Sequence, residues 1–329
     1  MKKYLSIAVL CLILALAAAC GSSSGGDSGS ASGGNGEGTA SETGDGGSTS
    51  GSGGEGTSDE SGDSGSGSLL KKIKDQGYVT VGFSNEAPYA YKNDEGKLTG
   101  AAVEVARAVF KEMGVEVKGQ LAKWGQLIPG VQTGKLDVIT AGMAIKPERC
   151  QKIDFGHPSV IYGEGIVVKK GNPKDLHSYK DIAESGVTVA VLNAGTEVDF
   201  LKDSGVSPDN IKKYPSVAEG FAAVRSGRAA VSTATALTVK KALKTSEGDA
   251  LQFVKDFTQP DVPGVPSYGA AGFNKDADKL RKKYNEILDK LYKDGTIKKI
   301  IMSDNLPLWG ENNLYKPGED PTTEKLCQG

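Results

Sequence analysis

Between Gly21 and Ser68 the chain has no lysine, no arginine and no large apolar side chain; it is chiefly Gly, Ser and Thr with eight scattered acids. Such a segment buries too little apolar surface to offset the entropy of ordering it. It is expected to remain an unfolded tether, with an average reach of about 40 Å on Gly-rich chain scaling. The fold must then be built from residues 69–329, which suffice for one large domain or two lobes. The whole chain carries a formal charge of −2, but without the tether's acids and without Lys2 and Lys3 the body carries +4. That excess is mild, and no basic run is interleaved with aromatics, so the body has no nucleic-acid footprint.

The first residues bear on compartment. Lys2 and Lys3 precede an apolar run, Leu5 to Leu16, that is too short to span a bilayer comfortably but suits the core of a signal peptide over 1–19. Leu16-Ala17-Ala18-Ala19-Cys20, followed by Gly21-Ser22-Ser23-Ser24, resembles the lipobox and spacer of bacterial lipoproteins. The resemblance implies a diacylated Cys20 and a protein held on the extracytoplasmic face of the cell membrane by lipid alone, since two acyl chains anchor stably where one does not. An ordinary secretory signal with a chance cysteine is the alternative. Cys11 leaves with the signal. Cys150 and Cys327 remain, an even pair in an oxidising compartment, and a disulfide is expected over two free thiols. With His157 and His177 the only histidines, no metal site is suggested.

The body alternates β-rich runs with helical ones. Val79 to Phe83 and Asp137 to Gly142 read as strands, and Glu116-Val117 begins another. Gly100 to Gly114 reads as a helix with Ala102, Ala106, Val109, Phe110 and Met113 on one face. Trp124 to Thr133 reads as helical. A second set follows: strands at 165–168, 187–192 and 229–233, a helix opened by Gly195-Thr196-Glu197, and another over Ala218 to Ser226. Tyr268 to Phe273 returns as a strand. A long helix over 277–293 carries Leu280, Tyr284, Ile287, Leu288 and Leu291 on one face. Strands separated by helices argue for α/β layers. The simplest assembly is two α/β lobes, each a sheet flanked by helices. Lobe one takes 69–164 and 268–329, lobe two takes 165–267, and the two crossovers form a hinge.

Certain phrases carry a family resemblance. Ala141-Gly142-Met143-Ala144-Ile145-Lys146-Pro147-Glu148-Arg149 resembles the A-G-M-x-I-x-x-E-R signature of polar amino-acid-type solute-binding proteins, and Asp154-Phe155-Gly156-His157-Pro158 resembles the D-F-S-x-P segment that follows it. Gly195-Thr196 and Ser226-Gly227-Arg228 match signals of the second lobe. Within the family, Ser84 to Tyr89, Gly100-Ala101-Ala102, Gly125 to Gly130, Lys146 to Cys150 and Thr322 to Cys327 resemble the ectoine and 5-hydroxyectoine binders. The resemblance implies the two-lobe periplasmic-binding-protein-like fold of type II. It also implies a monomer that gives its solute to an ABC permease and ATPase, with no cofactor. Gly142, Gly195 and Thr196 are implied contacts of the ligand.

A flat amidinium with a carboxylate needs a fork, an anion and ring faces. Arg149 supplies a planar five-donor fork for a carboxylate; its bland alternative is an ion pair with Glu148 or Asp154. Glu86 follows the first strand, where open α/β sheets take ligands, and can face an amidinium; a solvated loop acid is the alternative. Tyr89 and Trp124 stand where the ectoine binders carry aromatics, whose faces attract a cation by about 0.5–2 kcal/mol. Two positions depart from pattern. Ala144 stands where ectoine binders carry a third aromatic wall and amino-acid binders a threonine, leaving only its backbone N–H to offer. Thr235 stands where amino-acid binders place an aspartate for the ligand's α-ammonium. An ammonium left without a counter-charge in a closed site costs several kcal/mol, which argues against a standard α-amino acid.

The expected function is capture of a compatible solute such as ectoine or hydroxyectoine for an ABC importer. A polar amino acid or another small zwitterion is the alternative. Some secreted proteins of this fold are dehydratases, and Glu86 is the one candidate acid; a cation beside it would lower its pKa and make it a poor one.

Overall fold

The structure, a computed structural model, describes residues 66–244 and 250–329. The signal segment, Cys20 and the tether as far as residue 65 lie outside the described residues.

The body begins earlier than composition suggests. Helix α1 (Ser66–Gln76) starts inside the Gly/Ser stretch because Ile73 is fully buried and Leu69 and Leu70 pack on the same core. Next come β1 (Tyr78–Phe83), the hairpin β2 (Tyr91–Lys92) and β3 (Leu98–Thr99), α2 (Ala101–Glu112) and β4 (Glu116–Leu121). A 3-10 turn at Trp124–Gln126 runs into α3 (Leu127–Gln132) and β5 (Val138–Ala144). They are followed by α4 (Pro147–Cys150), β6 (Asp154–Phe155), β7 (Val160–Tyr162), β8 (Glu164–Lys169), α5 (Tyr179–Ser185), β9 (Val189–Leu192) and α6 (Glu197–Asp203). Then come β10 (Ile211–Tyr214), α7 (Val217–Ser226), β11 (Val231–Thr235), α8 (Ala236–Lys244), β12 (Leu251–Phe253) and β13 (Ser267–Phe273). The chain closes with α9 (Asp278–Lys293), α10 (Thr296–Ile301) and α11 (Thr323–Gln328).

The strands sort into two main sheets. The first runs β4-β1-β5-β13-β6 with β7 also on β13; the second runs β10-β9-β11-β8-β12. In each, a parallel core is bordered by an antiparallel return: β13 against β5, and β8 against β11. Every residue of β5 is buried, as a strand covered on both faces by helices requires. On α9 the five apolar residues at helical spacing are all buried, each worth about 1.5–3 kcal/mol of transfer free energy.

The chain passes between sheets at Gly163, between β7 and β8, and again just before β13. Glu164 therefore belongs to the second sheet and Ser267 to the first. Gln259 fastens the first passage: its side chain accepts from Glu164 N–H at 2.7 Å and donates to Glu164 C=O at 2.8 Å. Each sheet has its own apolar cluster, one centred on Val79, Phe110 and Tyr284 and the other on Ile166, Tyr179 and Phe200.

Candidate functional site

The loops at the carboxyl ends of both sheets converge on one cavity, lined by Glu86, Tyr89, Trp124, Gly142 and Arg149 from the first half and by Gly195, Thr196, Glu197 and Thr235 from the second, among others. Only about 20 Å³ of it is open to the centre of a water-sized sphere, so the side chains of the two halves lie close against one another there.

Glu86 and Tyr89 are placed by the turn after β1. The Glu86 carbonyl accepts from Tyr89 N–H and Ala90 N–H, both at 3.0 Å, and the N-terminal amides of α2 bind the Pro88 and Tyr89 carbonyls, also at 3.0 Å. Gly100, at φ 116°, lets that helix start directly against the Tyr89 backbone, where a Cβ would collide. Tyr89 is buried, its ring edge-on to Tyr162 and Trp309 at 5.0 and 5.1 Å. Gly142, at φ 65°, lies under that ring: a Cβ there would stand 2.6 Å from it.

Arg149, on α4, is 7 % exposed. Its guanidinium donates to the Ala144 carbonyl at 3.0 Å and, across the cleft, to the Ala194 carbonyl at 3.2 Å. It pairs with neither acid proposed as its bland partner. Glu148 is 3.0 Å from Lys146, and Asp154 is 3.1 Å from Lys275. Among the described residues no carboxylate lies within 4.0 Å of it. Burial lowers its pKa and the acids around it oppose that. Cys150, the next residue, is bonded to Cys327, with Cα atoms 5.7 Å apart, which ties α4 to α11.

Ala144 corrects an expectation. It is not among the lining residues; its methyl is buried in the first core, and its carbonyl serves Arg149. Its methyl therefore does not border the cavity. Tyr162, which the sequence reading missed, lines the cavity and donates its hydroxyl to the Gly142 carbonyl at 2.8 Å.

The other half contributes hydroxyls and a further carboxylate. Thr235 donates to the Thr238 hydroxyl at 3.0 Å, and Thr238 donates across the cleft to Glu86 at 3.0 Å. Trp124 donates its indole N–H to Ala194 C=O at 3.0 Å, and Lys146 reaches Asp199 at 2.9 Å. With the Arg149–Ala194 bond, these hold the two halves shut. The guanidinium of Arg149 stands 5.7 Å from the Trp124 ring.

Glu86 has no cationic partner among the described residues. Its carboxyl lies partly buried between the halves, and desolvation there, helped by the negative charge of Glu197 and opposed by the Thr238 hydrogen bond, pushes its pKa up to about 7. Among the described residues no side chain supplies the neighbouring cation on which its weakness as an acid rested. Glu197, 5 % exposed and unforeseen as a site residue, is also raised by burial; its own backbone N–H, Arg149 and Lys146 pull the other way. Glu164, just outside the cavity, is pushed up further by burial and by Glu197, and takes a hydrogen bond from Tyr179 at 3.3 Å.

The site therefore has one planar cation without a carboxylate, two carboxylates, Glu86 and Glu197, without an ion-pair partner among the described residues, and aromatic faces beside them. Among the described residues no group of His, Cys, Asp and Glu could hold a metal ion, and no helix is long and apolar enough to cross a membrane.

Comparisons with known proteins agree with this architecture. The model of bacterial extracellular solute-binding proteins, family 3, matches residues 79–303. The probable amino-acid ABC transporter periplasmic-binding protein y4tE of Sinorhizobium fredii is 35% identical over 264 residues, 78% of this chain and 85% of that protein. Among solved structures, EhuB in complex with hydroxyectoine superposes with a TM-score of 0.68 at 30% identity, covering 78% of this chain and 97% of its own. An ancestral arginine-binding protein bound to arginine does so at 0.60 and 30%, covering 68% and 96%. With a two-sheet fold closed over a cavity of opposed charges, the chain belongs to the bacterial extracellular solute-binding proteins of family 3, and is a solute-binding protein of an amino-acid-type ABC importer.

Proposed function

We propose that this chain captures a small solute bearing one carboxylate and one planar, delocalised cation, and gives it to the importer's permease and ATPase. It does so as a monomer held at the outer face of the cell membrane by a lipidated Cys20. The observation that carries this reading is the pairing deficit of the cleft: Arg149 is buried without a carboxylate and Glu86 is partly buried without a cation. Buried charges persist when something pairs them, and a ligand with the complementary poles does so. Arg149 forks the carboxylate, Glu86 faces the cation, and Tyr89, Trp124 and Tyr162 flank it. Gly142 and Gly195 give the ligand room, and Thr196 and Thr235 border it with hydroxyls.

Ectoine and hydroxyectoine carry both poles, and the likeness to the hydroxyectoine-bound protein supports them as first ligands to test. Amino acids with a guanidinium carry both poles too. The likeness to the arginine-bound ancestral protein supports this second reading. Calorimetry of the purified full chain against compatible solutes and amino acids tests both. Failure of every carboxylate-bearing solute to bind overturns the proposal, and so does turnover of prephenate or arogenate.

A further inference from the structure

Beyond residue 303, where the family match ends, the chain adds a run of turns and α11, and none of these residues lines the cavity. They pack behind it. Trp309 is 6 % exposed and meets the Tyr89 ring edge-on, at 5.1 Å and 83°. Asn313 donates its side-chain amide to the Ile161 carbonyl at 2.9 Å, and Leu314 bridges Val160, so the same segment grips β7 immediately before Tyr162. Tyr162 in turn meets the Tyr89 ring edge-on at 5.0 Å and 71°. The indole N–H of Trp309 has no acceptor among the described residues. A buried donor without a partner costs stability, so what the indole contributes here is its shape and not a hydrogen bond.

We infer that Trp309 is a positioning residue for solute binding: it holds the Tyr89 ring in place from behind the cavity, while Asn313 steadies Tyr162 beside it. The turn after β1 pins the backbone of Tyr89 but leaves its ring to the neighbours. Beneath the ring Gly142 offers bare backbone and no side chain. Tyr162 bounds the ring on one side and Trp309 on another, so losing the indole opens a void into which the ring can turn. Two edge-on partners fix a ring more closely than one, because each favours a tilt as well as a distance. The inference rests on the reading of the cavity as the solute site, and it extends that site to a part of the chain that touches no solute.

Trp124 and Trp309 are the only tryptophans, so 5-fluorotryptophan in the full chain gives one fluorine line for each. The lines are assigned with Trp124→Phe, and the chain is titrated with hydroxyectoine, L-arginine and the other solutes of the calorimetric panel. A solute that binds should shift both lines, Trp124 because it lines the cavity and Trp309 because the ring it holds is engaged. Calorimetry with the same solute then follows on three variants. Trp309→Leu should weaken it by about three- to thirty-fold, the loss expected when an aromatic face turns away from a cation. Trp309→Phe, which retains an aromatic edge, should recover most of that loss. Tyr315→Leu removes another buried ring of the same segment, one that meets Tyr268 and Tyr292 and no cavity residue. It should lower the melting temperature yet leave the affinity within about two-fold of the wild type. The inference is overturned if the Trp309 line stays still while the Trp124 line moves. It is overturned equally if Trp309→Leu binds as the wild type does, if Trp309→Phe is no better than Trp309→Leu, or if Tyr315→Leu weakens binding as much. The fluorine titration uses the unmutated chain, so a Trp309→Leu that fails to fold still leaves the inference open to refutation. If neither line moves with any carboxylate-bearing solute, the reading of the cavity as the solute site falls, and this inference falls with it.

Discussion

At the scale of single residues, the cleft is defined by charges whose partners are absent from the protein. Arg149→Ala removes a bidentate contact from a closed site and should cost about 2–5 kcal/mol for every carboxylate ligand, about thirty-fold to several thousand-fold in Kd; titration of the purified variant checks it, and wild-type affinity would refute the role. Glu86 makes the site pH-dependent in a direction that can be worked out. Its pKa of about 7 in the folded protein exceeds its ordinary 4.5, so between those values the folded state binds a proton that the unfolded chain does not. The stabilisation this gives is complete below pH 4.5 and is lost as pH rises through about 7. A cationic ligand needs the ionised form and acts the other way. Its affinity should strengthen from pH 5.5 towards 8, by up to about ten-fold per pH unit below 7 for each proton displaced. Glu86→Gln should flatten that profile towards the slope left by Glu197. A profile unchanged by Glu86→Gln would show that the proton belongs elsewhere.

At the scale of elements, the apolar spacing made α2, α9 and the buried β5 readable, because their periodicity is itself the cause of their burial. The polar side of the cleft was readable only in part. Arg149, Glu86 and Trp124 could be singled out from a family-like context. Tyr162 could not, since its run Val160-Ile161-Tyr162 looks like any short apolar strand. Thr238 was missed because β11 passes into α8 with no glycine or proline between, so nothing in the sequence announced a helix there. Glu197 looks like an acid placed for a helix dipole, and only packing from distant segments makes it a buried cavity wall. In the same way α1 was read partly as tether, since three of its residues share the tether's composition. The Cys150–Cys327 bond joins α4, which carries Arg149, to α11 across 177 residues. On the chain-entropy model it is worth up to about 5 kcal/mol. Cys327→Ser should therefore lower the melting temperature and, by loosening α4, raise Kd. Two thiols alkylated in the unreduced, denatured protein would show that the bond does not form.

At the scale of the whole molecule, the hydrogen bonds of Trp124 and Arg149 to Ala194 and of Thr238 to Glu86, with the Lys146–Asp199 pair, join the two halves. A ligand should add to this closure and raise the melting temperature in step with its concentration. Scattering at small angles should show a slightly smaller particle when saturated, and identical curves would count against hinge closure about Gly163. The proposed anchor is checked separately: Cys20→Ala should free the processed protein from membranes or leave it unprocessed, and a correctly cleaved product still retained there would refute lipidation. The latches between the halves have a kinetic side. Solute enclosed behind them leaves only when they part, so they govern its residence time more than its arrival. Thr238→Val, which removes the hydroxyl latch on Glu86, should speed release in a stopped-flow chase while leaving the capture rate nearly unchanged.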